Sequence, residues 1–135
     1  MISIHPITPD QTYALRHAVL WPDKPFDYVR IDNDGEGHHY GAFRNNELVA
    51  VISLFVEGNS GRFRKFATRP DCQRMGIGMQ LLNHVIDQAR RLNATVLWCD
   101  ARLDAGDFYR RFGMEPVSEV FYKGPIPYAK FSLIL

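Results

Sequence analysis

The segment 66–99 constrains the fold most. A strand end, a tight glycine-bearing loop, a long amphipathic helix and a second apolar run follow one another without a break. The helix is the firmest element: over 78–92, Leu82, Val85, Ile86, Ala89 and Leu92 gather on one face. Arg90 and Arg91 sit in its last turn and Asn93 marks its stop. The run 95–99 has no alternation, which predicts a strand buried on both faces. These signals define an α/β domain around one mixed sheet.

The flanking elements follow from local chemistry. Residues 2–7 read as a strand. Thr8 caps a helix over 9–20, Pro9 suits its first position, and Gln11 can close a capping box. That helix buries Ala14, Leu15, Ala18 and Val19 and stops before Trp21-Pro22. Residues 21–37 are polar and irregular, and read as a mobile loop or short helix facing substrate. Strands are expected at 39–44 and 48–56, joined by Asn45-Asn46, and at 62–68 after a turn at 57–61. Asp104 is expected to cap a short helix to Phe112, ended by Gly113, before strands at 117–122 and 128–135.

Composition narrows the function. The 135 residues, 46% hydrophobic and 23% charged, suit one core, so a single domain over 1–135 is expected. Sixteen basic against fifteen acidic residues argue against broad nucleic-acid binding. No run of 18 apolar residues and no export signal stand out, so the expected location is the cytoplasm, away from membranes. Cys72 and Cys99 have no metal or redox spacing and read as reduced thiols.

The loop into the long helix carries the chemistry. Arg69 and Arg74 flank a turn in which Gly76 and Gly78 leave main-chain N–H groups unobstructed, and no acid follows Cys72 until Asp87. The first turn of a helix has unpaired donors and a positive dipole end, so this loop suits a phosphate or pyrophosphate. Neither a third glycine of the dinucleotide fingerprint nor a Gly-Lys-Ser/Thr is present. A plain strand-to-helix turn is the alternative reading of the bare residues.

The full pattern Gln73-Arg74-Met75-Gly76-Ile77-Gly78, after Ala67-Thr68-Arg69-Pro70, resembles the Gln/Arg-x-x-Gly-x-Gly/Ala segment of the GCN5-related N-acetyltransferases. Ala105-Gly106-Asp107-Phe108-Tyr109 through Gly113-Met114 is similar to that family's Ala-x-x-Phe-Tyr-x-x-x-Gly-Phe element, and 119–128 is similar to the ElaA-like branch. The resemblance implies a twisted, largely antiparallel mixed sheet of six to seven strands flanked by about four helices. It implies acetyl-coenzyme A as co-substrate, with Ala67, Thr68 and Arg69 on the acetyl and pantetheine end. Gln73, Arg74, Met75, Gly76, Ile77, Gly78 and Met79 would take the pyrophosphate.

The implied reaction is acetyl transfer to a primary amine of a small molecule or peptide by direct attack in a ternary complex. Such transfer needs a held thioester, a neutral amine and a proton for the thiolate. Tyr109 is the expected acid, since a phenol is protonated at neutral pH; packing beside Phe108 and Phe112 is its other reading. The strand before the loop reads Arg62-Phe63-Arg64-Lys65-Phe66, without the glutamate base of many relatives. Glu57, Asp100 and Tyr128 are the base candidates, each with a plainer structural reading. Arg16, Arg62 and Arg64 are acceptor-site candidates, the last two attracting an acidic acceptor if strand alternation puts them on one face. A non-catalytic acyl-coenzyme A-binding module is the rival, and a homodimer through the last strands is expected of the resemblance.

Other signals carry no site. Residues 32–37 begin like a calcium loop, but Phe43 stands where the bidentate glutamate is required. His38 and His39, adjacent on a strand, point to opposite faces, so no metal is expected.

Overall fold

Eight strands, β1 (Ile2–Ile7), β2 (His38–Arg44), β3 (Glu47–Glu57), β4 (Ser60–Thr68), β5 (Val96–Arg102), β6 (Glu115–Pro116), β7 (Phe121–Lys123) and β8 (Ile126–Ile134), form one sheet. Three α-helices join them: α1 (Pro9–Leu15), α2 (Ile77–Arg91) and α3 (Gly106–Arg110). The computed structural model describes residues 1–135 throughout. The strand order is β1-β2-β3-β4-β5-β8-β6, with β7 paired to β8. Only β4 and β5 run parallel, and they touch only through Ser60–Arg62 against Val96–Trp98. Beyond that short contact the two strands part, and the gap between them organises the site.

The face beneath α2 is the main core. Leu81, Leu82, Val85, Ile86 and Ala89 pack on Ile52, Leu54, Phe63, Leu97, Cys99 and Phe131. Full burial of each large side chain contributes on the order of 1.5–3 kcal/mol before the entropy of ordering is subtracted. A small cluster of Leu15, Val51 and Ala67 lies under α1 on the other face.

Several boundaries differ from the sequence reading, each for a local reason. Gln11 accepts from the Thr8 amide at 2.8 Å, closing the capping box. After Leu15, however, the helix widens into a π-helical turn at Arg16–Leu20. Of residues 95–99, all but Thr95 become part of a strand, Val96–Arg102, with clear alternation: Leu97, Cys99 and Ala101 are buried, while Trp98 and Asp100 face the other side half-covered. The apolar run hid that alternation because Trp98 is large and shielded by the side chains of Arg62 and Lys130 at 4.5 and 4.2 Å. Asp104 caps nothing. It pairs with Arg102 at 3.0 Å, and α3 starts after a 3-10 turn with Ala105 at its cap. The last strands turn at Gly124 and Pro125, tighter than expected, and Glu115–Pro116 adds a short eighth strand.

Candidate active site

The gap between β4 and β5 opens into a groove of about 730 Å³. Ala67 and Thr68 of β4, Gln73, Arg74 and Gly76 of the turn, and Gly78 and Met79 of α2 line it. Val19, Phe66, Phe108 and Arg111 add to the walls, with Cys72 and Ala105. None of these six was among the expected site residues; Ala105, Phe108 and Arg111 lie in the segment singled out for Tyr109, whereas Val19 arrives through the π-turn, which leaves no sequence signal.

Amide geometry gives the groove its chemistry. None of the six main-chain N–H groups of 74–79 donates to an acceptor within the chain; the helical ladder begins only with Gln80 N–H to Gly76 O at 3.2 Å. Arg74 and Gly76 are both left-handed, at φ 63° and 79°. Left-handed residues alternating with ordinary ones turn successive amides to one side, producing an anion-binding concavity. Glycine fits the second position because a Cβ there meets nothing within 4 Å, so only its φ constrains it. Gly78 is different: an added Cβ would lie 3.4 Å from Phe66 Cζ and point into the groove. Gln73 braces the turn by donating from Nε2 to Thr68 O at 3.1 Å.

Arg69 leaves the predicted set. Its amide donates to Val49 O at 2.8 Å, and its guanidinium pairs with Asp71 at 2.6 Å and Glu47 at 3.0 Å. Main-chain alternation then turns the Thr68 N–H the other way, toward the gap that β5 has vacated. The side chains of Ile77 and Met75 do not line the groove: Ile77 is core and the Met75 sulfur meets Arg44 Nη1 at 3.4 Å.

Tyr109 sits on α3 behind the groove wall. Its ring packs against Phe63, Phe108 and Phe131 at centroid distances of 5.9, 5.2 and 6.0 Å. Burial pushes its phenol up from the ordinary value, and Cys99 adds to the shift, so the proton is held at neutral pH. Burial pushes the Cys99 thiol up to about 12, which keeps it inert.

The base candidates are dispersed. Asp100 is paired to Arg62 at 3.0 Å, and that arginine also stacks over Trp98. Glu57 ends β3 on the exposed rim of a second cavity of about 610 Å³, lined also by Arg62, Arg64 and Trp98. Tyr128 stacks on Phe121 at 6.0 Å with Lys123 over its ring at 4.5 Å.

Arg16 is a correction. It is fully buried, and its guanidinium donates to both Asp34 carboxylate oxygens at 2.9 and 3.0 Å, to Ser53 Oγ at 2.9 Å and to Val29 O at 3.0 Å. Every listener is inside the fold, so it offers nothing to an acceptor. Burial alone would raise the Asp34 pKa; hydrogen bonds from Arg16 and the Ile31 amide, with the charges of Arg16 and His39, outweigh it and lower it. His39 joins through Ser53 Oγ at 2.7 Å and Asp34 O at 2.8 Å. This network pins the irregular segment 21–37, with its 3-10 turns Phe26–Val29 and Asp34–Glu36, to the sheet. Of the two expectations, a mobile loop or a short helix, the short helices are present; the network itself left no sequence signal because its partners are 18 and 37 residues apart.

An opened mixed sheet with an amide-rich turn and helix start at the mouth of the gap is the architecture of an N-acetyltransferase. The acetyltransferase (GNAT) family profile matches residues 4–114, and the chain belongs to that family. It is 25% identical over 130 residues to the uncharacterized N-acetyltransferase YitI of Bacillus subtilis (strain 168), covering 90% of this chain and 87% of that one. It is 30% identical over 87 residues to the ribosomal protein bS18-alanine N-acetyltransferase of Escherichia coli (strain K12), spanning 64% of this chain and only 56% of that relative. In fold it is similar to Escherichia coli ElaA, with a TM-score of 0.83 at 19% identity over 98% of this chain and 99% of that one. A GNAT family acetyltransferase from Elizabethkingia anophelis with acetyl-CoA bound gives 0.79 at 21% identity, over 99% and 98%.

Proposed function

We propose that this chain transfers an acetyl group from acetyl-coenzyme A to a primary amine of a small molecule or peptide, by direct attack in a ternary complex. The row of unpartnered amides at 74–79, at one end of a groove leading into the β4–β5 gap, carries the reading. Those donors and the α2 dipole suit a diphosphate, with Arg74 and Arg111 adding charge. Ala67 and Thr68 line the path for the pantetheine arm, and the Thr68 N–H suits the thioester oxygen as an oxyanion donor.

The amine nitrogen attacks the thioester carbon; the C–N bond forms and the C–S bond breaks. One proton leaves the nitrogen and one reaches the thiolate, giving an amide and a free thiol. Tyr109 is the proposed donor of the second proton. Glu57, Asp100 or Tyr128 would take the first through water. The acetyl-CoA-bound neighbour and the acetyltransferase relatives support this assignment, and for a protein acting in the cytoplasm the near-neutral charge balance argues against broad nucleic-acid binding. No helix is long and apolar enough to cross a membrane.

The engagement of Asp100 with Arg62 favours one second reading, an acyl-coenzyme A-binding module without catalysis. Coenzyme A release in the presence of an amine panel separates the two. Tyr109→Phe is expected to bind acetyl-coenzyme A normally and lose about tenfold or more of turnover, the usual size of acid catalysis. Unchanged turnover removes Tyr109 from its role, and binding without turnover on any amine leaves the module.

A further inference from the structure

Consecutive residues of a regular strand point to opposite faces. Arg64 and Lys65 do not: both line one cavity of about 290 Å³ between β4 and the segment 21–37, beside Trp21, Tyr28, Arg30 and Asp32. The cause is a bulge in β4. Ser53 pairs with Arg64 and Val51 with Ala67, so Lys65 and Phe66 together oppose the single residue Ile52. Lys65 is left-handed there, at φ 56°. A lysine in that conformation is strained, and such strain collects at functional sites.

The cations brought together have no ion-pair partner. Neither Arg64 nor Lys65 forms an ion pair, although Asp32 shares their cavity and Glu36 and Glu57 share the neighbouring one with Arg64 and Arg62. Lys65 Nζ rests instead over the Trp21 ring at 4.4 Å. Burial, then the charges of Arg64, Lys123, Arg16 and Arg62, pull the Lys65 amine down to about 8. An anion placed between Arg64 and Lys65 would relieve that repulsion and pair with donors already half-desolvated, where charge-assisted hydrogen bonds are strong.

We propose that the acceptor amine carries a carboxylate close to its nitrogen and that Arg64 and Lys65, aimed together by the bulge, hold it. This rests on the acetyltransferase reading and names its substrate class. Along β4, Arg64 precedes Ala67 by three residues, roughly 10 Å at the usual rise per residue. An extended arginine side chain can cover much of such a span, so a carboxylate on Arg64 and a nitrogen attacking beside Ala67 fit a molecule of amino-acid size or the end of an acidic peptide.

The test compares kcat/KM for L-amino acids and acidic dipeptides with that for the same amines lacking the carboxylate, such as L-lysine against 1,5-diaminopentane. The expected preference for the carboxylate member is roughly tenfold or more, carried by KM. In Arg64→Met and in Lys65→Met that ratio falls toward one. A ratio near one in the unaltered protein, or a ratio that survives both substitutions, overturns the proposal. If no amine turns over, calorimetry on the coenzyme A-loaded protein decides, with N-acetyl amino acids set against their decarboxylated counterparts. A tenfold preference there upholds the carboxylate site while withdrawing the transferase reading; equal binding overturns the site.

Discussion

Replacing Asp34 by alanine isolates the network that holds the segment 21–37. The substitution removes acceptors for two Arg16 N–H groups and for the Ile31 amide, leaving a fully buried guanidinium with only Ser53 Oγ and Val29 O. Breaking one partner of a buried ion pair costs about 3–5 kcal/mol, because the remaining charge stays desolvated. For 135 residues at about 2.1 cal/mol/K each, the unfolding entropy is about 0.28 kcal/mol/K, so Tm should fall by roughly 10–18 °C. Calorimetry or circular dichroism melting reads this directly. The pH dependence has a definite sign. The folded Asp34 pKa lies below its ordinary value of 3.8, so the pairing contributes fully above that value and is lost as pH falls through the folded one. The gap between the unaltered protein and Asp34→Ala should therefore be complete at neutral pH and shrink below about pH 3.8. The double change Arg16→Met with Asp34→Leu should recover most of the loss, since a matched apolar pair replaces the ions. A fall of under about 3 °C, or one insensitive to acid, would refute the argument that the pair is buried and strongly coupled.

Gly78→Leu puts a side chain into the groove beside Phe66 while favouring the helix, so Tm should hold or rise and stabilisation by acetyl-coenzyme A should vanish. Gly76→Ala meets no atom but must keep φ at 79°, costing about 1–2 kcal/mol, or a Tm drop of roughly 4–7 °C, with weaker cofactor binding by calorimetry. Lys65→Met should raise Tm at pH 7. Because the folded amine is lowered to about 8 from 10.5, stability from its neutral form is complete above 10.5 and lost as pH falls through about 8. The gain from Lys65→Met should therefore fade as pH rises toward 10.5; a constant gain would refute the burial of its charge.

The groove proposed for the cofactor was legible in its main-chain features because its parts lie close in the chain. Gly76 and Gly78 mark the turn, α2 follows directly, and local chemistry makes the amides available. The cation cluster proposed for the acceptor was not. Arg62 and Arg64 could be placed on one face by alternation, but Lys65 joins Arg64 only through a bulge created by pairing with β3. Arg16 read as an acceptor-site candidate because its partner lies 18 residues away across an irregular segment.

What the residues alone determined is the run of elements, the long helix and the anion-ready turn, all set by periodicity and backbone conformations that depend on near neighbours. Only tertiary structure decided where β4 and β5 separate, which amides stay unpaired beside that gap, and which charges are neutralised within the fold. Those outcomes depend on strand register and on contacts between residues distant in sequence, and neither leaves a local trace.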